Sequence, residues 1–321
     1  MSTKLDSVPW RRPLRAVTLR IEQLSDTQFV YVLLSPVFLL LAVVAFWPIV
    51  NTFELSLHAD SIVSPDPIGE FAGFTNYVDL FTGGLDALMP RPFVSLSQPL
   101  KSALIVTVVF AGVSVSIETL LGFAQALILN EEFRGRRWVR LVLILPWAVP
   151  IVIFGTMFYL MFNSTVGFGS EILHGLGLIS ATPFTSTQDS LLLLIIADIW
   201  KTTPFMVLLI LAGLQSINRD LYQVAEVAGA SRWQRFRHVT LPLVAPILGV
   251  AILFRLIQAL RVYGVIEVMV GCNTVPSLSC MVVSTFQSRY YGTSATIAFT
   301  TAALIGLVTL GYFAFTKSEV V

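Results

Sequence analysis

Charge is scarce in this sequence, and so are the residues of covalent and metal chemistry. Of 321 residues only 12% are Asp, Glu, Lys or Arg, while 55% are hydrophobic. A water-soluble globule of this size needs far more charge to cover its surface, so a soluble enzyme or carrier is excluded. The net charge of +1 offers nothing to nucleic acid. His58, His174 and His238 are widely scattered and read as solvated or interfacial side chains. Cys272 and Cys280, spaced C-x7-C, lack the further ligands of a zinc site and the C-x-x-C spacing of a redox pair. They are a disulfide closing a loop or two free thiols, and no metal is expected. The sequence has no G-x-x-x-x-G-K-[ST] phosphate loop, no G-x-S-x-G and no H-E-x-x-H. The chain is therefore not expected to hydrolyse ATP itself or to carry a cofactor, and no nucleophile marks it as a membrane enzyme. No internal repeat is visible.

What is present is long apolar runs, and a mean hydropathy of +0.81 reads as a polytopic membrane protein. Each span needs about 20 residues, so the length accommodates about six. The runs are 29–57, 101–130, 139–162, 191–217, 241–270 and 293–315. Pro36 and Pro48 should bend the first. In the third, Pro146 and Pro150 of LPWAVP should loosen the first half. Residues 1–28 carry Lys4, Arg11, Arg12, Arg15 and Arg20 without an apolar run; they read as a tail, with a surface helix around Leu14 to Leu24, rather than a cleavable leader. The loop 58–100 is rich in Pro, Gly and acid, and its FAGFTNYVDLF reads as a short helix or hairpin packed on the bundle.

Cations give the orientation. Fourteen fall in the tail, after span two, in the 218–240 insertion and at Lys317; Arg91, Lys101 and Arg289 lie on the other side, and Lys201, Arg255 and Arg261 fall inside spans. The positive-inside rule then places both termini and the 218–240 loop in the cytoplasm.

That loop is the most informative stretch. Asn218 suits a helix start and Asp220 its positive dipole end, so Arg219 to Ala228 reads as an amphipathic helix presenting Leu221, Val224, Ala225 and Ala228. Gly229 ends it. Ser231 with Gln234 makes a capping box that should start a second short helix through Val239, with Pro242 opening the next span. The whole forms an elbow of two short helices.

The elbow resembles the EAA loop of permease subunits of ATP-binding-cassette importers, on Leu221, Tyr222, Ala225, Gly229, Ala230, Phe236, Leu241, Pro242 and Pro246. It departs at Gln223, Val224 and Ala228, where the family prefers Glu, Ala and Asp, so Glu226 is a candidate replacement acid. FAGFTNYVDLF, LPWAVP and WKTTPFMVLLILAGL resemble the carbohydrate branch. The resemblance implies an all-α integral membrane fold of six transmembrane helices, with a cytoplasmic coupling-helix elbow between helices four and five. It further implies a second permease subunit of different sequence, two ATPase subunits that bind the ATP, an external solute-binding protein, and a sugar as substrate in a prokaryotic cytoplasmic membrane. A permease for another solute such as glycerol phosphate, or an ion-coupled secondary transporter, are the alternatives. Leu221, Tyr222, Gln223, Ala225, Glu226, Gly229, Ala230, Trp233, Phe236 and Pro242 are the expected coupling residues.

Ionisable groups inside spans cost about 2.5–3.5 kcal/mol each near a helix centre and must face the bundle or water. Glu118, Asp198, Lys201, Arg255, Arg261 and Glu267 are of this kind. Asp198 and Lys201, three apart, can pair locally. Arg255, Gln258 and Arg261 trace a polar stripe on span five. With Lys201 and Tyr159 they line a translocation path, or else they hold helices together.

Overall fold

The computed structural model describes residues 25–61 and 68–317, with side chains to Ala314. The basic residues 1–24 and their expected surface helix lie outside it. Within it the chain is mostly helical. Five helices are long and apolar enough to cross a membrane, or six if one sharply bent pair counts as a span.

The chain divides at residues 54/55 into two units. Among the described residues the first holds all but the last two residues of α1 (Asp26–Ser56), which starts on a capping box of Ser25 and Gln28. Its most apolar window has no residue buried inside the chain. The helix runs on through Pro36, and just ahead of Pro48 it widens into a π turn at Ala42–Phe46. Proline has no N–H and its ring collides with the carbonyl four residues back. Here that residue is Val44, inside the π turn, whose wider winding moves the carbonyl aside.

The second unit opens with a hairpin, β1 (His58–Asp60) paired antiparallel to β2 (Ile68–Phe71), and then α2 (Thr75–Thr82). FAGFTNYVDLF thus spans a strand end and a helix. Asn76 donates to the carbonyls of Ser56 and His58 at 3.0 and 2.8 Å. The Asp60 carboxylate accepts from the N–H groups of Gly292 and Thr293 and from the Thr293 hydroxyl. It thereby satisfies the free donors at the start of α12 (Tyr291–Lys317).

The core is built on α3 (Ala103–Asn130) against α7 (Thr187–Ser216), the most extensive helix pair. A Cβ on Gly122 would meet Met206 at 2.7 Å, so the two backbones approach closely there. Between these helices come α4 (Arg136–Ala148) and α5 (Ile151–Phe162), which meet at 93°. The third expected span is therefore broken outright rather than loosened. Val149 and Pro150 form the break in extended conformation, because a residue before proline is pushed out of the helical region. A short helix, α6 (Phe168–Gly175), follows.

Span five also differs from its expected range. A single rod, α9 (Arg232–Leu260), runs through the second half of the elbow and the apolar segment, and it ends at Leu260, ten residues early. Beyond it lie α10 (Gly264–Met269), packed on α5, and α11 (Leu278–Gln287), packed on α12. A disulfide joins Cys272 to Cys280. Arg91 donates to the carbonyl of Asn273 at 2.9 Å and Thr187 to that of Thr274 at 2.8 Å, which fix this loop to the rest of the unit.

Candidate functional site

Two constructions stand out. The first is the elbow. Its first helix is α8 (Arg219–Val227), capped by Asn218, whose side chain accepts from the Asp220 N–H at 3.0 Å. Gly229 then takes φ +83°, and the Ala230 N–H bonds back to the Ala225 carbonyl at 2.9 Å. This left-handed position closes the helix carbonyls and reverses the chain. A Cβ on Gly229 would touch nothing within 4 Å, so glycine is needed here for conformation and not for space. The Ser231–Gln234 capping box has both of its bonds and starts the rod α9.

The second expected short helix therefore does not exist as a separate element. Phe236–Thr240 is a π turn inside the rod, and Pro242 lies two residues beyond it, as Pro48 lies beyond its own. His238, four residues before Pro242, has its carbonyl in the widened turn. The rod of 29 residues is roughly 43 Å long.

Inner and outer faces of α8 divide otherwise than expected. Tyr222 leans inward against the core residues at the ends of α3, α7 and α9, its hydroxyl 3.1 Å from that of Thr240, and Ala225 is half-buried. Leu221, Val224 and Ala228 stay exposed, and with Val227 and Trp233 they form an apolar outer surface. Phe236 stands edge-on to Phe123 of α3 and beneath Trp233. Gln223 is exposed; Glu226 receives Arg235 at 2.9 Å, and Arg219 reaches Glu132 at 3.0 Å.

Deep in the helices lies an ion cluster whose pairing differs from the local Asp198–Lys201 pair expected from spacing. Arg255 of α9 donates through Nε and Nη2 to both oxygens of Glu118 of α3, at 2.6 and 3.0 Å, and through Nη2 to Asp198 of α7. The exposures are 2%, 0% and 7%. Three helices are thus joined by one planar guanidinium, whose fork suits such multiple engagement.

Asp198 accordingly does not pair with Lys201. The Lys201 ammonium donates to the Val149 carbonyl at 2.5 Å, in the break between α4 and α5, and stands 5.1 Å over the Phe154 ring. It satisfies an acceptor that the interrupted helix leaves open. Of the polar residues expected along span five, Arg255 is buried, whereas Gln258 is exposed and Arg261 is exposed past the end of the helix. Glu267 is also exposed and accepts from the Cys272 N–H.

Aromatic rings pack beside Lys201, and a second pair includes Tyr159 of α5. Trp200 lies parallel to Phe154 at 6.0 Å and packs on Phe158, while Tyr159 stacks on Phe184 at 5.2 Å. Trp200 and Tyr159 keep one side exposed. Among the described residues no group of three or more His, Cys, Asp or Glu could hold a metal ion.

Comparison with known proteins agrees with this architecture. The chain is 38% identical over 285 residues to the trehalose/maltose transport system permease protein MalF of Thermococcus litoralis, covering 88% of this chain and 91% of that protein. It is 31% identical over 260 residues to the trehalose transport system permease protein SugA of Mycobacterium tuberculosis, covering 81% and 78%. The fold matches a chain of a bacterial ABC transporter involved in the import of the acidic polysaccharide alginate, with a TM-score of 0.72 at 22% identity over 91% of this chain and 96% of that one. Residues 118–318, from the buried Glu118 to beyond the last helix, match the model of a transport family. The chain belongs to the binding-protein-dependent transport system inner membrane component family.

Proposed function

We propose that the chain is the permease subunit of an ATP-binding-cassette importer that moves a sugar across a prokaryotic cytoplasmic membrane by ATP-driven alternating access. The single observation that carries this reading is the continuity of α9. A capped, amphipathic helix with an exposed apolar outer surface turns at Gly229 into a rod of 29 residues that reaches the buried Arg255. A partner that grips Leu221, Val224 and Trp233 differently in two of its own states would drive the rod between two positions.

The energy comes from two ATPase subunits that bind ATP, which fits a sequence without a G-x-x-x-x-G-K-[ST] phosphate loop. A second permease subunit of different sequence and an external solute-binding protein complete the assembly. Cation asymmetry supports an elbow and both termini on the cytoplasmic side. A sugar is supported by the trehalose and maltose named for the relatives, and by the half-exposed rings of Trp200 and Tyr159, which offer flat apolar faces to a sugar ring. Lys201 beside them would contact hydroxyls when not holding Val149.

An ion-coupled relay through Glu118, Asp198 and Lys201 is less well supported. Both acids are engaged by Arg255 and the lysine by a carbonyl. The test is uptake of labelled disaccharides by the complete transporter in vesicles, with and without an inactivating substitution in the ATPase. Uptake should require ATP hydrolysis and ignore a collapsed proton gradient; uptake that survives ATPase inactivation would sink the reading.

A further inference from the structure

The loop between α3 and α4, EEFRGRRWVR, concentrates four arginines in seven residues, Arg134, Arg136, Arg137 and Arg140. Among the described residues none of them makes an ion pair. The loop has two acids, and Glu132 is taken by Arg219 of α8. Arg136 and Arg140 share the inner face of α4 with Leu143, which packs against the core where α7 meets α9. Both arginines are half-buried there, and their Nε atoms are shielded from solvent with no acceptor in the chain. Gly135 starts α4 with φ +88° and no capping side chain, and the N–H groups of Arg136 and Trp138 bond back to the carbonyls of Phe133 and Gly135.

The outer face of α4 is of another kind. Trp138 is 71% exposed, and Leu141, Val142 and Leu145 are exposed on the turns that follow. An indole at the start of an apolar helical face is the pattern of a membrane interface, where the ring sits at headgroup level and the aliphatic side chains meet acyl chains. A cytoplasmic protein partner would have no use for the apolar turns beneath it.

We infer that Arg136 and Arg140, on the inner face of the first turns of α4 at the depth that Trp138 marks on the outer face, bind the phosphate headgroup of an anionic membrane lipid. Guanidinium groups take phosphate oxygens in pairs, and basic pockets between membrane helices are suited to such headgroups. The site is independent of what the chain transports. Because Glu132 of the same loop is paired to Arg219, an occupied site also steadies the elbow.

The experiment uses the complete transporter in nanodiscs of phosphatidylcholine with and without phosphatidylglycerol, followed by extraction and native mass spectrometry of retained lipid. Wild type should retain phosphatidylglycerol in preference to phosphatidylcholine. Arg136→Gln with Arg140→Gln should lose about thirtyfold of that retention, since each of the two basic contacts near a charged surface contributes on the order of 1 kcal/mol. Arg134→Gln with Arg137→Gln should lose much less. Equal retention of the two lipids by wild type overturns the proposal without any variant being needed. So does undiminished retention by the Arg136/Arg140 variant. If inorganic phosphate displaces the lipid completely, the site is one for free anions and the lipid assignment falls. It falls too if the variant keeps its lipid and sheds the ATPase subunits.

Discussion

Carboxylates meet guanidinium groups in two regions of this chain, and the two meetings have opposite meanings. In the core, Glu118, Asp198 and Arg255 are sealed from water and join three helices. At the elbow, Arg235–Glu226 and Arg219–Glu132 lie in or near solvent. A buried charge must be held in fixed geometry, because an unmatched partner has no water to turn to. An exposed one is screened and replaceable. The core cluster therefore fixes where helices stand, while the shape of the elbow depends on caps, on a left-handed glycine and on aromatic packing.

The sharpest way to break this contrast is at Arg255. Arg255→Ala leaves two carboxylates buried without a partner, which should cost about 3–5 kcal/mol. Little folded protein should survive extraction, measured as monodisperse yield and as the thermal unfolding midpoint. Replacing all three together, Arg255→Met with Glu118→Gln and Asp198→Asn, removes every charge and should recover most of the loss, since a neutral core of similar volume is often no less stable. An Arg255→Ala protein as stable as wild type would mean that the cluster holds nothing.

The next effect lies at Gly229. Gly229→Val places a branched side chain at φ +83°, a conformation that costs an L-residue about 1–2 kcal/mol, more for a branched one. Insertion and extraction should be normal, yet ATP-dependent uptake should fall severalfold as the angle between α8 and α9 is lost. Gly229→Asn should be much milder, because asparagine tolerates the left-handed region. The space around the position is open, so size should not matter. If the two substitutions prove equally harmful, conformation is not the reason for the glycine.

Legibility in the sequence followed the range of the forces involved. The caps at Asn218 and Ser231 and the turn at Gly229 were readable because they act within four residues. The apolar runs were readable from length. What escaped depended on neighbours distant in sequence. Arg255 and Glu118 are 137 residues apart, so the count of acids and bases could say that charges need partners but not which ones. Asp198 looked paired to Lys201 by spacing alone, yet Arg255 and the open Val149 carbonyl were better partners than a neighbour one turn away. The early end of span five escaped for a related reason. Val265, Ile266 and Met269 are apolar because α10 packs on α5, and composition does not distinguish packing on protein from crossing lipid. Asp60 looked like one acid among five in a polar loop, and only the fold makes it the cap of α12.

The smallest effect is expected at Glu226, the acid that stands near the family carboxylate position left vacant by Gln223. If the elbow is held together as the comparison says, Glu226→Gln removes one partly exposed pair with Arg235, worth about 0.2–1 kcal/mol, and Arg235 turns to water. The unfolding midpoint should barely move, and the small shift that remains should vanish in high salt, where wild type and variant become indistinguishable. Tyr222→Phe makes a useful companion. It deletes only the hydroxyl contact with Thr240, a buried group that then lacks that partner, and its loss should persist in salt. A Glu226→Gln defect that is large and insensitive to salt would place this carboxylate in the same class as Glu118. Its partner would then be a surface outside this chain, dry when docked, and the elbow would be electrostatically built after all.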